Sequence, residues 1–305
     1  MSTGHGHGHG HTSLSASGRH RGRLLAAALL VGSFFAVELV AGLLTRSLAL
    51  LSDAGHMAAD VVTLVAALVA TRVAARPDGS GRRTYGSYRA EVLASGFAVL
   101  VMLGVAVYVA YEAFSRLGDP VAPAALGMVV VGALGLAVNL VALALLRQGA
   151  RESLNVRGAY LEVVADTVGS VGVLVAGALV ALTGSGAWDT VVALAIAVFV
   201  VVRALRLGRD VLAVLGQHAP AGVEPTEVAE ELAALDGVAD VHDLHVWQLT
   251  SGMDVATAHL VTTPTAITHD VLDRARHTLQ TRFGIAHATL QVEPADHTGC
   301  DEVAW

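Results

Sequence analysis

Long apolar runs dominate the first two-thirds of the chain. Each of six runs has close to the roughly 20 residues that a helix needs to cross the hydrocarbon core of a bilayer. The runs cover residues 24–45, 49–75, 91–114, 124–146, 157–182 and 188–207. The pattern therefore predicts a polytopic α-helical membrane domain with six transmembrane helices, over residues 23–215.

The segments on either side of these runs are more polar. Residues 1–22 are rich in glycine, serine and histidine, with His5, His7, His9 and His11 alternating with glycine. Such a stretch has no apolar face to bury, so we expect a disordered His-rich tail. Its histidines would either collect metal weakly or be dispensable. We also expect residues 296–305 to form a flexible tail.

Residues 216–295 read as a small soluble domain. A helix over "EPTEVAEELAAL", a hairpin of "VADVHDLHVWQL" and "VATAHLVT", a helix over "TPTAITHDVLDRARHTLQTRF" with Pro264 near its start, and a strand over "ATLQVEP" follow one another. The order α-β-β-α-β predicts an α+β domain of ferredoxin-like type.

Arginine placement predicts the orientation. The N-terminal tail, the loops after the second and fourth runs and the exit of the sixth run each carry three or four arginines, whereas the alternate loops carry at most one. Cytoplasmic loops of membrane proteins carry this excess. We therefore expect a multi-pass protein, in a bacterial plasma membrane, with both termini in the cytoplasm.

Composition narrows the functional classes. The chain is 54% hydrophobic and 15% charged, and its net charge of −7 argues against nucleic-acid binding. The single cysteine, Cys300, cannot form an intramolecular disulfide. No phosphate-binding glycine-rich loop and no His-Glu-x-x-His motif occurs, so we expect neither an enzyme nor an organic cofactor.

Ionisable residues inside two of the runs are the main functional signal. His56 and Asp60 are four residues apart in the second run, and Glu162 and Asp166 repeat that spacing in the fifth. Residues at this spacing share one helix face. Asp60 lies 11 residues after Ala49 and Asp166 lies 11 residues after Asn155, roughly 16 Å in each case, which reaches the middle of a core about 30 Å thick. Intramembrane charges of this kind usually mark a functional site.

These side chains suit a metal ion. One imidazole and three carboxylates make a four-coordinate site for a divalent first-row ion, and the lack of thiolate disfavours Cu(I). Without a dication, protons must neutralise the clustered carboxylates, so metal and protons compete for the same groups. The set predicts metal–proton exchange. Asp53, near the same face, either caps its helix or lines an access path to the site.

Three segments resemble the cation diffusion facilitator transporters of the zinc, cobalt and cadmium exporter branch. They are "SLALLSDAGHMAAD", "NVRGAYLEVVADTVGSVGVL" and "VHDLHVWQLTSG", and the loop "YGSYRAE" also fits. The resemblance implies six helices, a cytoplasmic metallochaperone-like domain, a homodimer in the lipid bilayer and export of divalent metal in exchange for protons. It also implies that His56, Asp60 and Asp166 bind the transported ion.

Glu162 departs from the family pattern, because many zinc members have histidine there. It is either a ligand or a proton carrier. We expect Zn²⁺ as substrate together with Co²⁺ and Cd²⁺. The alternatives are a Mn²⁺ or Fe²⁺ exporter, favoured by the harder Glu162 ligand, and a metal sensor that does not transport.

The soluble domain also contains candidate metal ligands. The resemblance favours a regulatory Zn²⁺ site formed by His245, His259, His287 and Glu293, with His242 as the next candidate. In an ideal strand His242 and His245 face opposite sides, so they share one metal only if a bulge intervenes.

Overall fold

The structure is a computed structural model of the chain. It describes residues 21–74, 84–85, 87–116, 123–148, 150, 154–250 and 252–295. The histidines of the N-terminal tail, the predicted C-terminal tail and Cys300 lie outside the described residues.

Six long helices make up the first part of the described chain. They are α1 (Arg21–Thr45), α2 (Leu48–Ala74), α3 (Arg89–Ser115), α4 (Ala125–Leu146), α5 (Leu154–Thr183) and α6 (Ala187–Leu215). Among the fully described residues, α1, α3, α4, α5 and α6 each contain a segment long and apolar enough to cross a membrane. α2 carries the ionisable residues of the second run. The last helix continues for two turns beyond the apolar run that ends at residue 207 and reaches Leu215. Gly208 lies inside it, since a single glycine costs a helix only about 1 kcal/mol.

A buried carboxylate fixes the start of α2. Ser47 caps the helix by accepting a hydrogen bond from the Leu50 amide at 3.1 Å. Asp189, in the first turn of α6, accepts hydrogen bonds from the Ser47 hydroxyl at 2.6 Å and from the Leu48 and Ala49 amides at 2.8 and 3.1 Å. It thereby satisfies amide groups that have no partner within their own helix. The two ends are 140 residues apart in sequence and are joined by one side chain.

Small residues allow the helices to approach closely. On α5, Gly177 lies against Met128 and Val129 of α4, and Gly132 of α4 lies against the backbone of Leu174, so that a Cβ at either glycine would come within about 3 Å of the neighbouring helix. Large apolar side chains cover the outer surfaces; Leu44, Leu126 and Leu182 are each about 80% exposed. Such a surface suits lipid.

The last third of the chain forms an α+β fold in the predicted order. It contains α7 (Pro225–Ala233), β1 (Val238–Thr250), β2 (Met253–Thr262), α8 (Thr268–Phe283) and β3 (His287–Pro294). β2 is the central strand, antiparallel to β1 and parallel to β3. The core between helices and sheet includes Leu232, Leu260, Val271, Leu279 and Ile285.

The start predicted for the second helix of this part, near Pro264, is wrong. Residues 263–266 form a turn closed by a hydrogen bond from the Ala266 amide to the Thr263 carbonyl at 3.0 Å, and α8 begins at Thr268. The residue before a proline is disfavoured in the helical region, which explains why the helix begins beyond it. α8 ends at Gly284, whose φ of +72° suits a glycine cap.

The chain divides into two compact units. One comprises Met1–Val61 with Leu100–Ala204, and the other Val62–Val99 with Leu205–Trp305. The first unit contains the ionisable residues of α2, α5 and α6 that are described in the next subsection; the last of them in the chain is Arg203. The α+β fold belongs to the second, where the Thr250 hydroxyl donates to the Glu91 carboxylate at 3.1 Å.

Candidate metal centre

α2 and α5 bring three of the four predicted intramembrane ligands together. The Nε2 atom of His56 lies 3.4 Å from Oδ1 of Asp166 and 4.0 Å from Oδ2 of Asp60. One ligand atom from each of these residues lies within 4.8 Å of the other two. His56 and Asp166 are buried, and the Asp60 side chain is 25% exposed. The i, i+4 spacing within α2 and the crossing of α5 produce this arrangement.

Glu162, the fourth predicted ligand, is engaged elsewhere. It lies one turn before Asp166 on α5, and its carboxylate forms an ion pair with Arg203 of α6. It does not belong to the group formed by His56, Asp60 and Asp166. The group as it stands therefore offers one imidazole and two carboxylates.

Arg203 is a functional candidate that the sequence reasoning missed. Its Nη1 donates to His56 Nε2 at 2.9 Å and its Nη2 donates to Asp60 Oδ1 at 3.1 Å, in addition to the pair with Glu162. In the sequence analysis its charge served only to predict that the exit of the sixth run faces the cytoplasm. The usable signal was its position inside the predicted sixth run, between Val202 and Ala204, rather than after it.

Phe199 completes the α6 side of the site. Its ring stands edge-on to the His56 ring, with centroids 5.9 Å apart and an interplanar angle of 82°. This geometry is favourable for aromatic pairs and holds the imidazole in one orientation. α6 thus contributes an apolar wall at Phe199 and, one turn later, the cation Arg203.

A second pair of acids lies next to the site. Asp53, one turn before His56 on α2, and Glu38 on α1 are both buried. Gly169 of α5 leaves room for Asp53, since a Cβ at residue 169 would collide with the Asp53 carboxylate. Asp53 therefore lies on the side of α2 that faces α5. It does not cap α2, because the helix begins five residues earlier at Leu48.

The sheet of the α+β fold carries a second group of possible ligands. His242 and His259 are cross-strand neighbours on β1 and β2 with ring centroids 5.1 Å apart. Glu293 of β3 lies 3.6 Å from His242 Nε2 and 2.9 Å from His259 Nδ1. One ligand atom from each of the three lies within 4.8 Å of the other two. Three strands therefore contribute one ligand each.

His245 lies beside this group rather than in it. The strand pairing shifts by one residue between His242 and His245, and Asp243 in that bulge has a φ of +51°. The Asp243 carboxylate joins the two parts, 3.0 Å from His245 Nε2 and 3.8 Å from His259 Nε2. Asp243 was not among the predicted ligands, because its role depends on a bulge that residue spacing does not reveal.

His287 is not brought to the group. It begins β3, six residues before Glu293, which corresponds to roughly 20 Å of extended strand. Its ring instead packs edge-on against Tyr85, with centroids 5.6 Å apart. Tyr85 belongs to the "YGSYRAE" segment, so His287 contacts that loop.

Comparisons with known proteins cover both parts of the chain. Residues 24–215 match the family described as the cation efflux transmembrane domain, and residues 220–295 match the cation efflux protein cytoplasmic domain. The chain is 42% identical over 280 residues to the metal cation efflux system protein CzcD of Cupriavidus metallidurans, covering 91% of this chain and 88% of that protein.

Two further matches are a second transporter and a solved domain. A cadmium, cobalt and zinc/H(+)-K(+) antiporter of Bacillus velezensis is 34% identical over 287 residues, covering 92% of this chain and 91% of that protein. The solved metal-bound C-terminal domain of the CzcD transporter of Cupriavidus metallidurans is 40% identical over 23% of this chain and 99% of that domain, with a TM-score of 0.22.

Proposed function

Because the chain belongs to the cation diffusion facilitator family, we propose that it exports divalent metal ions from the cytoplasm in exchange for protons. The observation that carries the proposal is the convergence of His56, Asp60 and Asp166 from two helices inside the apolar part of the chain. Relatives named as metal efflux and cadmium, cobalt and zinc antiport proteins support Zn²⁺, Co²⁺ and Cd²⁺ as the substrates.

The proposed architecture adds α2 as the sixth transmembrane helix. Asp53, His56 and Asp60 lie within its apolar run, and the transport site gives these ionisable residues a reason to be there. In this proposal both termini and the α+β domain are cytoplasmic, the α+β domain is ferredoxin-like, and the protein works as a homodimer. The similarity of residues 220–295 to a cation efflux cytoplasmic domain supports the location of that domain.

The transport chemistry follows from the residue types. His56 offers a neutral nitrogen, while Asp60 and Asp166 offer carboxylate oxygens, a mixed set that suits Zn²⁺ and Co²⁺. When the metal leaves, the clustered carboxylates repel each other in an apolar environment until protons neutralise them. Metal release and proton uptake are thereby linked at the same oxygens. Asp53 and Glu38 would line the route by which ions reach this site.

The pairing of Glu162 with Arg203 bears on metal selectivity. The alternative of a Mn²⁺ or Fe²⁺ exporter rested on Glu162 as an additional hard ligand. With its carboxylate held by a guanidinium, that reason for preferring hard ions is weaker. The proposal therefore favours Zn²⁺, Co²⁺ and Cd²⁺ over Mn²⁺.

The test is metal uptake into proteoliposomes with an acidic lumen, comparing Zn²⁺, Co²⁺, Cd²⁺ and Mn²⁺. We expect uptake of the first three with matching proton efflux, and its loss in Asp166→Asn. Asp210→Asn, which neutralises an exposed acid of α6, is the control and should transport normally. Unchanged uptake in Asp166→Asn would refute the site. Metal binding without uptake of any ion would support a sensor instead.

The cluster of His242, His259 and Glu293 supports a regulatory proposal. It lies on the sheet, and it has the ligand types of a zinc site. In this proposal, metal bound there tightens the dimer and favours transport. Asp243 would orient His245 or His259 through its two oxygens.

A further inference from the structure

Arg203 donates a hydrogen bond to the lone pair on His56 Nε2 that a metal ion would need. A guanidinium carries only hydrogen-bond donors, so in the 2.9 Å contact Nε2 of His56 must be the acceptor. An imidazole nitrogen that accepts a hydrogen bond uses the same single lone pair with which it coordinates a metal. His56 therefore cannot hold Arg203 and a metal ion through Nε2 at the same time.

We propose that Arg203 is a tethered counter-cation, which holds His56, Asp60 and Glu162 when metal is absent and which the incoming metal displaces from His56. The inference rests on the proposed transport function and goes beyond it, since it assigns a competitor for the metal within the chain. In this reading Glu162 is the anchor of the displaced guanidinium rather than a ligand.

The contacts permit a small displacement. Nη1 contacts His56, whereas Nη2 contacts both Asp60 Oδ1 and Glu162. The other oxygen of Asp60, Oδ2, is the one that faces His56 Nε2, at 4.0 Å. Metal binding at His56 Nε2 and Asp60 Oδ2 therefore requires only Nη1 to withdraw. Nη2 remains on Glu162.

Charge explains why the pair is useful. Asp60, Glu162 and Asp166 supply three negative charges, and Arg203 supplies one positive charge beside them. The remaining two negative charges match one divalent cation. Glu162 and Arg203 together thus behave as a neutral pair beside the metal ligands. Removing one member should unbalance the site, and removing both should restore the balance.

The first test measures Zn²⁺ binding to the purified full-length chain by titration calorimetry. The binding lost in His56→Ala is assigned to the membrane site. We expect Arg203→Met to bind Zn²⁺ about tenfold more tightly, because a positive charge close to the ion is removed. We expect Glu162→Gln to bind it about tenfold more weakly, because a negative charge is removed and the guanidinium remains. The double variant should return to within about threefold of the wild-type affinity, since the two charge effects cancel.

Matched variants separate this role from a structural one. Arg206→Met removes the same charge from an exposed position one turn along α6 and should leave the affinity unchanged. Arg203→Lys keeps the charge but not the two-pronged contact, so its affinity should lie between those of the wild type and Arg203→Met. Arg203→Gln keeps a donor without the charge and should also tighten binding, which secures the test if the methionine variant does not fold.

Transport gives an independent readout. In proteoliposomes Arg203→Met should lower both KM and kcat, because the site captures metal more readily and releases it more slowly. Unchanged or weaker binding in Arg203→Met and Arg203→Gln, or a double variant no closer to the wild type than either single variant, would overturn the inference. Absence of the His56-dependent binding in the wild type would instead refute the proposed function.

Discussion

The buried carboxylate of Asp189 joins segments that are far apart in the sequence. Asp189 is fully buried and accepts three hydrogen bonds from the residues that begin α2. Arg116 at the end of α3 lies 3.9 Å from it and donates to the Arg46 carbonyl at 2.9 Å. The carboxylate is therefore well satisfied despite its burial, as a stable buried charge must be.

We expect Asp189→Ala to lower the free energy of unfolding by roughly 3 kcal/mol or more. The change leaves the Leu48 and Ala49 amides and the Ser47 hydroxyl without their acceptor, and unsatisfied buried groups cost about 1–3 kcal/mol each. Thermal unfolding of the detergent-solubilised protein measures the loss. Asp210→Asn, at an exposed position of the same helix, should unfold at the wild-type temperature; an equal loss in both variants would contradict the assignment.

Asp254 provides a pH-dependent prediction outside the membrane. Burial raises the pKa of Asp254, and the hydrogen bond from Gln248 only partly offsets this. Because the pKa is higher in the folded chain, the ionised carboxylate disfavours the β1–β2 hairpin above that pKa, and the penalty disappears below the unfolded value of about 3.9.

Asp254→Asn should therefore raise the free energy of opening of the hairpin amides, measured by hydrogen exchange, by less than about 1 kcal/mol at pH 8. It should leave this free energy unchanged near pH 3.5. The ratio of variant to wild-type exchange at each pH measures the effect. Asp240→Asn, an exposed acid of β1, is the control. A gain at low pH that equals the gain at pH 8 would show that ionisation is not the cause.

The sequence predicted those site residues whose relation is local. His56 with Asp60, and Glu162 with Asp166, follow from helical spacing, and depth predicted that the two pairs meet. Arg203 and Asp189 were not predicted, because their partners lie about 140 residues away and only the packed helices bring them together. His245 and Asp243 depend on a bulge, which the alternation of a regular strand does not indicate.

Helices predicted from hydropathy were mostly correct, but their packing required the structure. The apolar runs locate α1 to α6 to within a few residues, apart from the end of α6. What hydropathy does not show is which side of α5 faces Asp53. In the structure it is the side that carries Gly169, since the missing side chain at this position leaves room for the Asp53 carboxylate.

Gly169→Ala should therefore abolish most of the metal transport, whereas Gly172→Ala should be tolerated. An added Cβ at 169 overlaps Asp53, while one at 172 meets Val192 Cγ1 at an ordinary 3.4 Å. Both changes raise helix propensity by about 1 kcal/mol, so their difference isolates the collision. Proteoliposome uptake and thermal unfolding measure the outcome. Equal activity of the two variants would refute the close contact.

At the scale of the whole molecule, the two metal-ligand groups occupy different parts of the chain. His56, Asp60 and Asp166 lie in the helical part and His242, His259 and Glu293 on the sheet. Their proposed roles differ accordingly, with transported metal at the first and regulatory metal at the second. The two roles can be separated by changing one group at a time.

We expect His259→Ala to retain transport at saturating Zn²⁺ but to need about tenfold more metal for half-maximal rate, since a ligand of the regulatory site is lost. The Zn²⁺-dependent fraction of dimer, measured by light scattering, should shift by a similar factor. His287→Ala, outside the cluster, serves as the control. Deletion of residues 217–305 without any change in the metal dependence of the rate would refute regulation by this domain.

The ion pair between Glu162 and Arg203 also constrains how this lineage diversifies. Replacing Glu162 by histidine alone would leave an unpaired guanidinium beside a metal site, and replacing Arg203 alone would leave an excess carboxylate. Each single step passes through an intermediate with an altered affinity for its cargo. Natural sequences should therefore exchange the two positions together, and homologues with histidine at the position of Glu162 should have a neutral residue at that of Arg203.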